Sequence, residues 1–254
     1  VFPLKDNIPT DRFPIVTVAL IVANTLMYFL FQKGGILHGP SDANVVHYGA
    51  IPYELTHPGQ HCELATGHIA CEGQPGVSGM ADPQPSTYLT VLTSMFMHGS
   101  ILHLAGNMLF LWIFGNNIED SMGRAKFLAF YLLGGVAALA LQTLVGPGTA
   151  VPTVGASGAI AAVLGGYVVL YPRARVVTVI FLVIFFTVLE LPALVVLGLW
   201  FVQQAIFGAT NLTDPTGGGG GVAYFAHIGG FVFGLLVIRA IARAKPMPPR
   251  FTVS

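Results

Sequence analysis

The chain has 254 residues, of which 54% are hydrophobic and 9% charged, with no formal net charge and a mean hydropathy of +0.73. Soluble domains carry roughly 25% charged residues, so a water-soluble globule is excluded, and a neutral chain argues against a nucleic-acid or polyanion partner. The length suits one membrane-embedded helical domain, residues 1–254, better than two. Val1-Phe2-Pro3-Leu4-Lys5-Asp6 is not followed by the short apolar stretch and small-residue cleavage site of a secretory signal.

Apolar runs of about 17–25 residues read as bilayer-spanning helices. The first covers residues 14–32. Residues 33–96 then form a long insert bearing Pro and Gly, with His38, His47, His57, His61, His68, Cys62 and Cys71. Their spacing matches no standard zinc pattern, so no metal is expected. A Cys62–Cys71 disulfide is the preferred reading, since both cysteines share an oxidising compartment. The second span covers 101–117, the third 127–145, and the fourth 156–171, closed by Pro172.

Residues 176–207 are apolar except for Glu190-Leu191-Pro192. Proline disfavours helix in the residue before it and suits a helix start. The fifth span is therefore placed at 192–207. Val176 to Leu189, rich in Val, Ile, Phe and Thr and short for a crossing, reads as a buried or interfacial connector, with two closely packed helices as the alternative. Gly208 to Gly221 ends in five consecutive glycines and reads as a mobile flap or a plain linker. The sixth span covers 223–241.

Polar side chains inside such segments are costly and mark function. Ser157, in Gly155-Ala156-Ser157-Gly158, opens the fourth span and His227 opens the sixth. Two crossings separate them, so both sit at one face. A third would part them by roughly 30 Å, so a Ser–His pair requires six helices. Serine becomes nucleophilic when an adjacent base takes its proton, and His227 is the natural base. Gly155 and Gly158 allow close backbone approach to a substrate. The start of the fourth helix favours developing negative charge at Ser157. His103 and Asn107, four positions apart, share one helical face that opens at the same side, with His98 just before them. Asn107 can donate to an oxyanion, and His103 can hydrogen-bond beside it. No Asp or Glu accompanies His227 within its helix, which favours a dyad over a triad.

Lys5, Arg12, Arg124, Lys126, Arg173, Arg175, Arg239, Arg243, Lys245 and Arg250 all fall on one side under this topology; Lys33 falls on the other. The excess of Lys and Arg marks the cytoplasmic face. Both termini are expected there, with Ser157 and His227 opening to the outside.

His98-x4-His103-x3-Asn107, Gly155-Ala156-Ser157-Gly158 and Ala226-His227-x2-Gly230-x3-Gly234 resemble, in order, the three signatures of the rhomboid intramembrane serine proteases. Glu119-x3-Gly123 resembles that family's turn into helix three. The resemblance implies an all-α, six-helix bundle and cleavage of transmembrane protein substrates near the outer membrane surface. It implies Ser157 as nucleophile and His227 as general base, with His103, Asn107 and the Ser157 backbone N–H forming the oxyanion site. It calls for no cofactor, and the expected setting is a lipid bilayer, a bacterial plasma membrane. Gly230 and Gly234 would let helices pack closely. Some relatives carry a Tyr four residues after the nucleophile, stacked on the histidine. Here that position is Ala161, leaving Tyr167 and Tyr224 as candidates to orient His227. Two rivals remain: a helix-binding relative that does not cut, and a small-solute transporter, for which no convincing internal repeat is found.

Overall fold

The structure, a computed structural model, describes residues 2–65, 68–79, 81–182, 185–213 and 222–245. Most of the glycine-rich segment, with Asp214, and Arg250 lie outside these. In chain order the elements are β1 (Phe2–Asp6), α1 (Ile15–Leu26, continued by a π-helical turn Met27–Phe31), α2 (Asp42–Tyr48), α3 (Pro52–Thr56), β2 (Cys62–Ala65), β3 (His68–Cys71) and α4 (Thr87–Thr93). There follow α5 (Ile101–Phe110), a π-helical turn Leu111–Gly115, α6 (Asn116–Met122), α7 (Arg124–Val145), α8 (Ser157–Leu170), β4 (Arg175–Leu182), β5 (Phe185–Pro192), α9 (Ala193–Thr213) and α10 (Tyr224–Ile241).

Among the described residues, four stretches are helical, long and apolar enough to cross a bilayer: Ile101–Met122, Arg124–Val145, Ala193–Leu212 and Tyr224–Ile241. Ile15–Phe31 and Ser157–Leu170 are shorter apolar helices. The chain is a multi-pass, predominantly helical membrane protein.

α8 carries almost no polar side chain beyond Ser157, so it has no solvent face to offer, and it is buried from Gly158 to Tyr167. α7 and α10 pack around it. Small residues set the approach: a Cβ on Gly230 would fall on the carbonyl oxygen of Gly158, and one on Gly234 on that of Ala162. The two backbones are in direct contact, as small-residue stripes permit. That contact holds the starts of α8 and α10 side by side.

Glu119 stitches the bundle at the other end. Its carboxylate accepts the backbone N–H groups of Val16 at 3.0 Å and Thr17 at 2.7 Å, and the Thr17 hydroxyl at 2.8 Å. It thereby caps the free donors of α1 from a distant helix.

Among the described residues, the connector at 176–182 and 185–189 is built of strands and not of two packed helices. It forms the antiparallel hairpin β4–β5, with Thr178 opposite Leu189 and Arg175 opposite Pro192, and β1 pairs with β4 to complete a three-stranded sheet. The β-branched and aromatic residues that argued against a crossing are those that fit a pleated surface. The all-α membrane class holds for the apolar helices, and this small sheet stands beside them. α9 starts one residue after Pro192 and runs to Thr213, past the expected end at 207.

Among its described residues, the insert at 33–96 carries α2, α3, α4 and the β2–β3 pair. Val46, Ile51, Tyr53, Cys62 and Cys71 form a small core of their own. Cys62 and Cys71 are disulfide-bonded and face each other across the β2–β3 hairpin. Buried Glu54 accepts the Cys62 N–H at 2.7 Å, and burial raises its carboxyl above the ordinary 4.5. The insert rests on the segment preceding Ser157: Thr56 Oγ1 donates to Pro147 O at 2.8 Å, Tyr53 N to Thr149 O at 3.0 Å, and Ala50 bridges Thr153.

Candidate active site

The Ser100 hydroxyl caps α5 by accepting the His103 N–H at 3.1 Å, as N-cap serines do. His103 is thereby fixed in the first turn, with Asn107 one turn below on the same face. His98 stands behind His103, with ring centroids 5.1 Å apart in an edge contact. Its backbone is held from both sides by one side chain: His98 N donates to Gln32 Oε1 at 2.9 Å, and Gln32 Nε2 donates to His98 O at 3.1 Å. Burial, with His103 alongside, lowers the His98 ring to about 3, so it is uncharged at neutral pH.

Gly155 adopts φ +133°, a conformation open to glycine and strained for other residues. Its N–H donates to Ser94 O at 2.9 Å. A Cβ there would lie 2.9 Å from His103 Nε2 and 3.4 Å from Ser157 Oγ. The glycine therefore lets the His103 ring and the Ser157 hydroxyl share one space. Ser157 is the first residue of α8.

His227 lies in the first turn of α10, whose start is tied down by Gln142 Oε1 accepting the Ala226 N–H at 3.2 Å. Its Nε2 is 2.8 Å from Ser157 Oγ, and its Nδ1 is 2.8 Å from Gln204 Oε1. The Trp200 ring lies 5.7 Å from the imidazole, tilted by 37°. His103, Asn107, Thr153, Ser157, Trp200 and His227 line one cavity of about 600 Å³. Asn107 Nδ2 is buried there without a hydrogen-bond partner. An imidazole anchored at one nitrogen and facing a hydroxyl with the other can take a proton from it. An unpaired amide donor nearby can meet negative charge that develops later.

The structure thus brings together Ser157, His227, His103, Asn107 and Gly155. Gly158 and Gly230 lie at the helix contact below them, and His98 sits behind the cavity rather than on its wall. Neither tyrosine proposed to orient His227 does so. Tyr167 OH donates to Asp6 at 2.5 Å, and the Tyr224 ring packs on Phe207 at 5.6 Å. Trp200 and Gln204 occupy that role in space, and sequence reasoning passed over both. Yet Gln204 is a polar side chain inside an apolar helix, the same signal that singled out Ser157. Cys62 and Cys71 lie in the insert, apart from the cavity. Among the described residues no cluster of His, Cys, Asp and Glu is suited to a metal.

Comparison with known proteins gives a consistent family. The family model described as Rhomboid domain matches residues 85–244. Rhomboid protein 1, mitochondrial, of Saccharomyces cerevisiae is 30% identical over 165 residues, 61% of this chain and 42% of that protein. Presenilin-associated rhomboid-like protein A, mitochondrial, of Danio rerio is 34% identical over 153 residues, covering 59% and 37% respectively. The Homo sapiens presenilin-associated rhomboid-like protein, mitochondrial, is 34% identical over 150 residues, covering 57% and 36%. The chain spans less than half the length of these relatives.

Proposed function

Since the chain belongs to the rhomboid family, we propose that it is an intramembrane serine endopeptidase cutting transmembrane protein substrates near the outer membrane face. The observation that carries this reading is the 2.8 Å contact between Ser157 Oγ and His227 Nε2, in a cavity between apolar helices that His103 and Asn107 also line.

His227 Nε2 takes the Ser157 proton as Oγ attacks the carbonyl carbon of the scissile bond. The oxyanion is met by Asn107 Nδ2, the His103 ring and the Ser157 backbone N–H. As the C–N bond breaks, the imidazolium gives its proton to the leaving amine, leaving an ester on Ser157. Water then loses a proton to His227 and attacks the ester. The proton returns to Oγ, and a carboxylic acid product departs. Helical backbones shield their carbonyls in their own hydrogen bonds, so substrates should unwind at the cut, beside small or helix-destabilising residues. These steps use side chains of the chain, one backbone N–H and water, and call for no cofactor.

Six spans fit this reading: 15–31, 101–122, 124–145, 157–170, 193–212 and 224–241. α8, at 14 residues, rises about 21 Å, less than the roughly 30 Å of hydrocarbon. The remaining depth is left to the irregular segment before Ser157. Such backbone is tolerated at membrane depth where it lines a water-filled cavity, and Pro152, Thr153, Val154 and Gly155 line the cavity that holds Ser157 and His227. Water for hydrolysis therefore has a route from the insert's side. We place the termini and the β1–β4–β5 sheet on the cytoplasmic side, with the Lys and Arg excess. The disulfide-bearing insert and the Ser157 end lie outside a plasma membrane, where disulfides persist.

Reconstituted protein should cleave a generic single-span substrate and label with a fluorophosphonate. Ser157→Ala and His227→Ala should do neither while remaining folded. Undiminished cleavage by Ser157→Ala would reject the reading.

A further inference from the structure

We propose that Gln204 is the positioning residue for His227, fixing through one hydrogen bond both the orientation of the ring and the tautomer able to accept the Ser157 proton. This rests on the dyad reading above. A neutral imidazole carries one N–H. Gln204 Oε1, 2.8 Å from Nδ1, is an acceptor and holds that hydrogen on Nδ1. Nε2 is left with its lone pair facing Ser157 Oγ, also at 2.8 Å. With the amide reversed, its NH₂ would face Nδ1, the ring hydrogen would move to Nε2, and the base could not take the serine's proton. Tautomer choice by the group on the other nitrogen is a general property of histidine.

Three features make Gln204 the device rather than a bystander. It is 7% exposed, in an apolar helix where an unpaired amide would be costly. Trp200 precedes it by one turn on α9 and places its ring against the same imidazole, so one face of α9 supplies both contacts. Ala161, buried in α8, is too small to brace the ring from the other side. His103, which lines the same cavity, is the other titratable ring near His227. It belongs to α5 and makes no hydrogen bond to His227 Nδ1 in the structure. Unlike a carboxylate, a neutral amide adds no charge to stabilise the imidazolium, so its contribution is geometric and tautomeric.

The test compares wild type, Gln204→Leu and Gln204→Glu in detergent and in liposomes, with thermal unfolding as a folding control. The readouts are kcat and KM on a single-span substrate, and ¹⁵N NMR of histidine-labelled protein assigned with His227→Ala. We expect Gln204→Leu to lose kcat by roughly 10- to 100-fold at nearly unchanged KM, and its His227 to lose the pure Nδ1–H form. Gln204→Glu keeps an acceptor oxygen at the same reach and should recover most of the rate. If Gln204→Leu does not fold, Gln204→Asn withdraws the acceptor by one methylene and takes its place. Wild-type turnover with unchanged kcat and an unchanged Nδ1–H signal in the Leu variant would overturn the role of Gln204 and leave the dyad standing. A wild type that neither cleaves nor labels would overturn the dyad first. The NMR comparison would then still decide whether Gln204 sets the tautomer.

Discussion

Asn107 keeps a buried Nδ2 without an acceptor, which costs about 1–3 kcal/mol in a folded protein. A donor held at that cost beside Ser157 is suited to charge that exists only in the transition state. Asn107→Ala should therefore lower kcat by roughly 10²- to 10³-fold while leaving KM nearly unchanged and thermal stability no lower than in the wild type. Steady-state kinetics in liposomes would show this, and a loss confined to KM would mean that the amide binds substrate instead. Much of this site was legible in the sequence, because Ser157, His227, His103 and Asn107 are polar groups out of place in apolar segments. Gln204 met the same criterion but was unmarked by any motif. Its partner lies 23 positions away, a pairing that only the packing of α9 on α10 reveals.

Helices and sheets differ in how much of themselves the sequence discloses. The apolar runs overlap the helices, though α9 extends six residues past the expected 207. Residues 175–182 and 185–192 pair as strands, because an unbroken apolar stretch has the same look in a buried strand as in a helix. The partner that completes their sheet is β1, 170 to 177 positions upstream, a pairing no local pattern carries. The α8–α10 contact was more accessible, through Gly230-x3-Gly234. Since a Cβ on Gly230 would strike the Gly158 carbonyl, Gly230→Val should push the two helices apart. Both thermal stability and fluorophosphonate labelling of Ser157 should fall together. Retained labelling at wild-type rate would show that the contact does not set the Ser157–His227 distance. The insert should behave as a separable unit. Its disulfide closes a loop of nine positions, worth roughly 2–3 kcal/mol by chain entropy. Reduction should therefore raise amide exchange in the β2–β3 hairpin by tens of fold and leave α7, α8 and α10 protected. Uniform loss of protection would mean that the insert and bundle unfold as one.

Across the whole molecule, the extreme N-terminal strand is locked to the central helix by a single buried carboxylate. Asp6 Oδ2 accepts Tyr167 OH from α8 at 2.5 Å and Asn117 Nδ2 from α6 at 2.6 Å. Burial is the largest influence on Asp6 and raises its carboxyl from the ordinary 3.8 to about 6, against the opposing effect of its hydrogen bonds, Tyr167 foremost. Between those two values the folded protein holds a proton there that the unfolded chain has released. Stability from this group is thus fully present below about pH 3.8 and declines as pH rises through about 6. The displacement corresponds to roughly 3 kcal/mol at most. Asp6→Asn keeps an acceptor oxygen for Tyr167 and Asn117 but cannot titrate. The difference in unfolding free energy, variant minus wild type, should therefore grow in the variant's favour from pH 4 to pH 7 and level off above it. Subtracting the two proteins removes the titration of every other group. A difference that stays nearly flat from pH 4 to pH 7 and grows only as the pH falls below about 3.8 would mean that the two hydrogen bonds outweigh burial and hold the carboxylate charged. The strand would then be fastened to α8 by an ionised acceptor, and the lock would weaken in acid instead of at neutral pH.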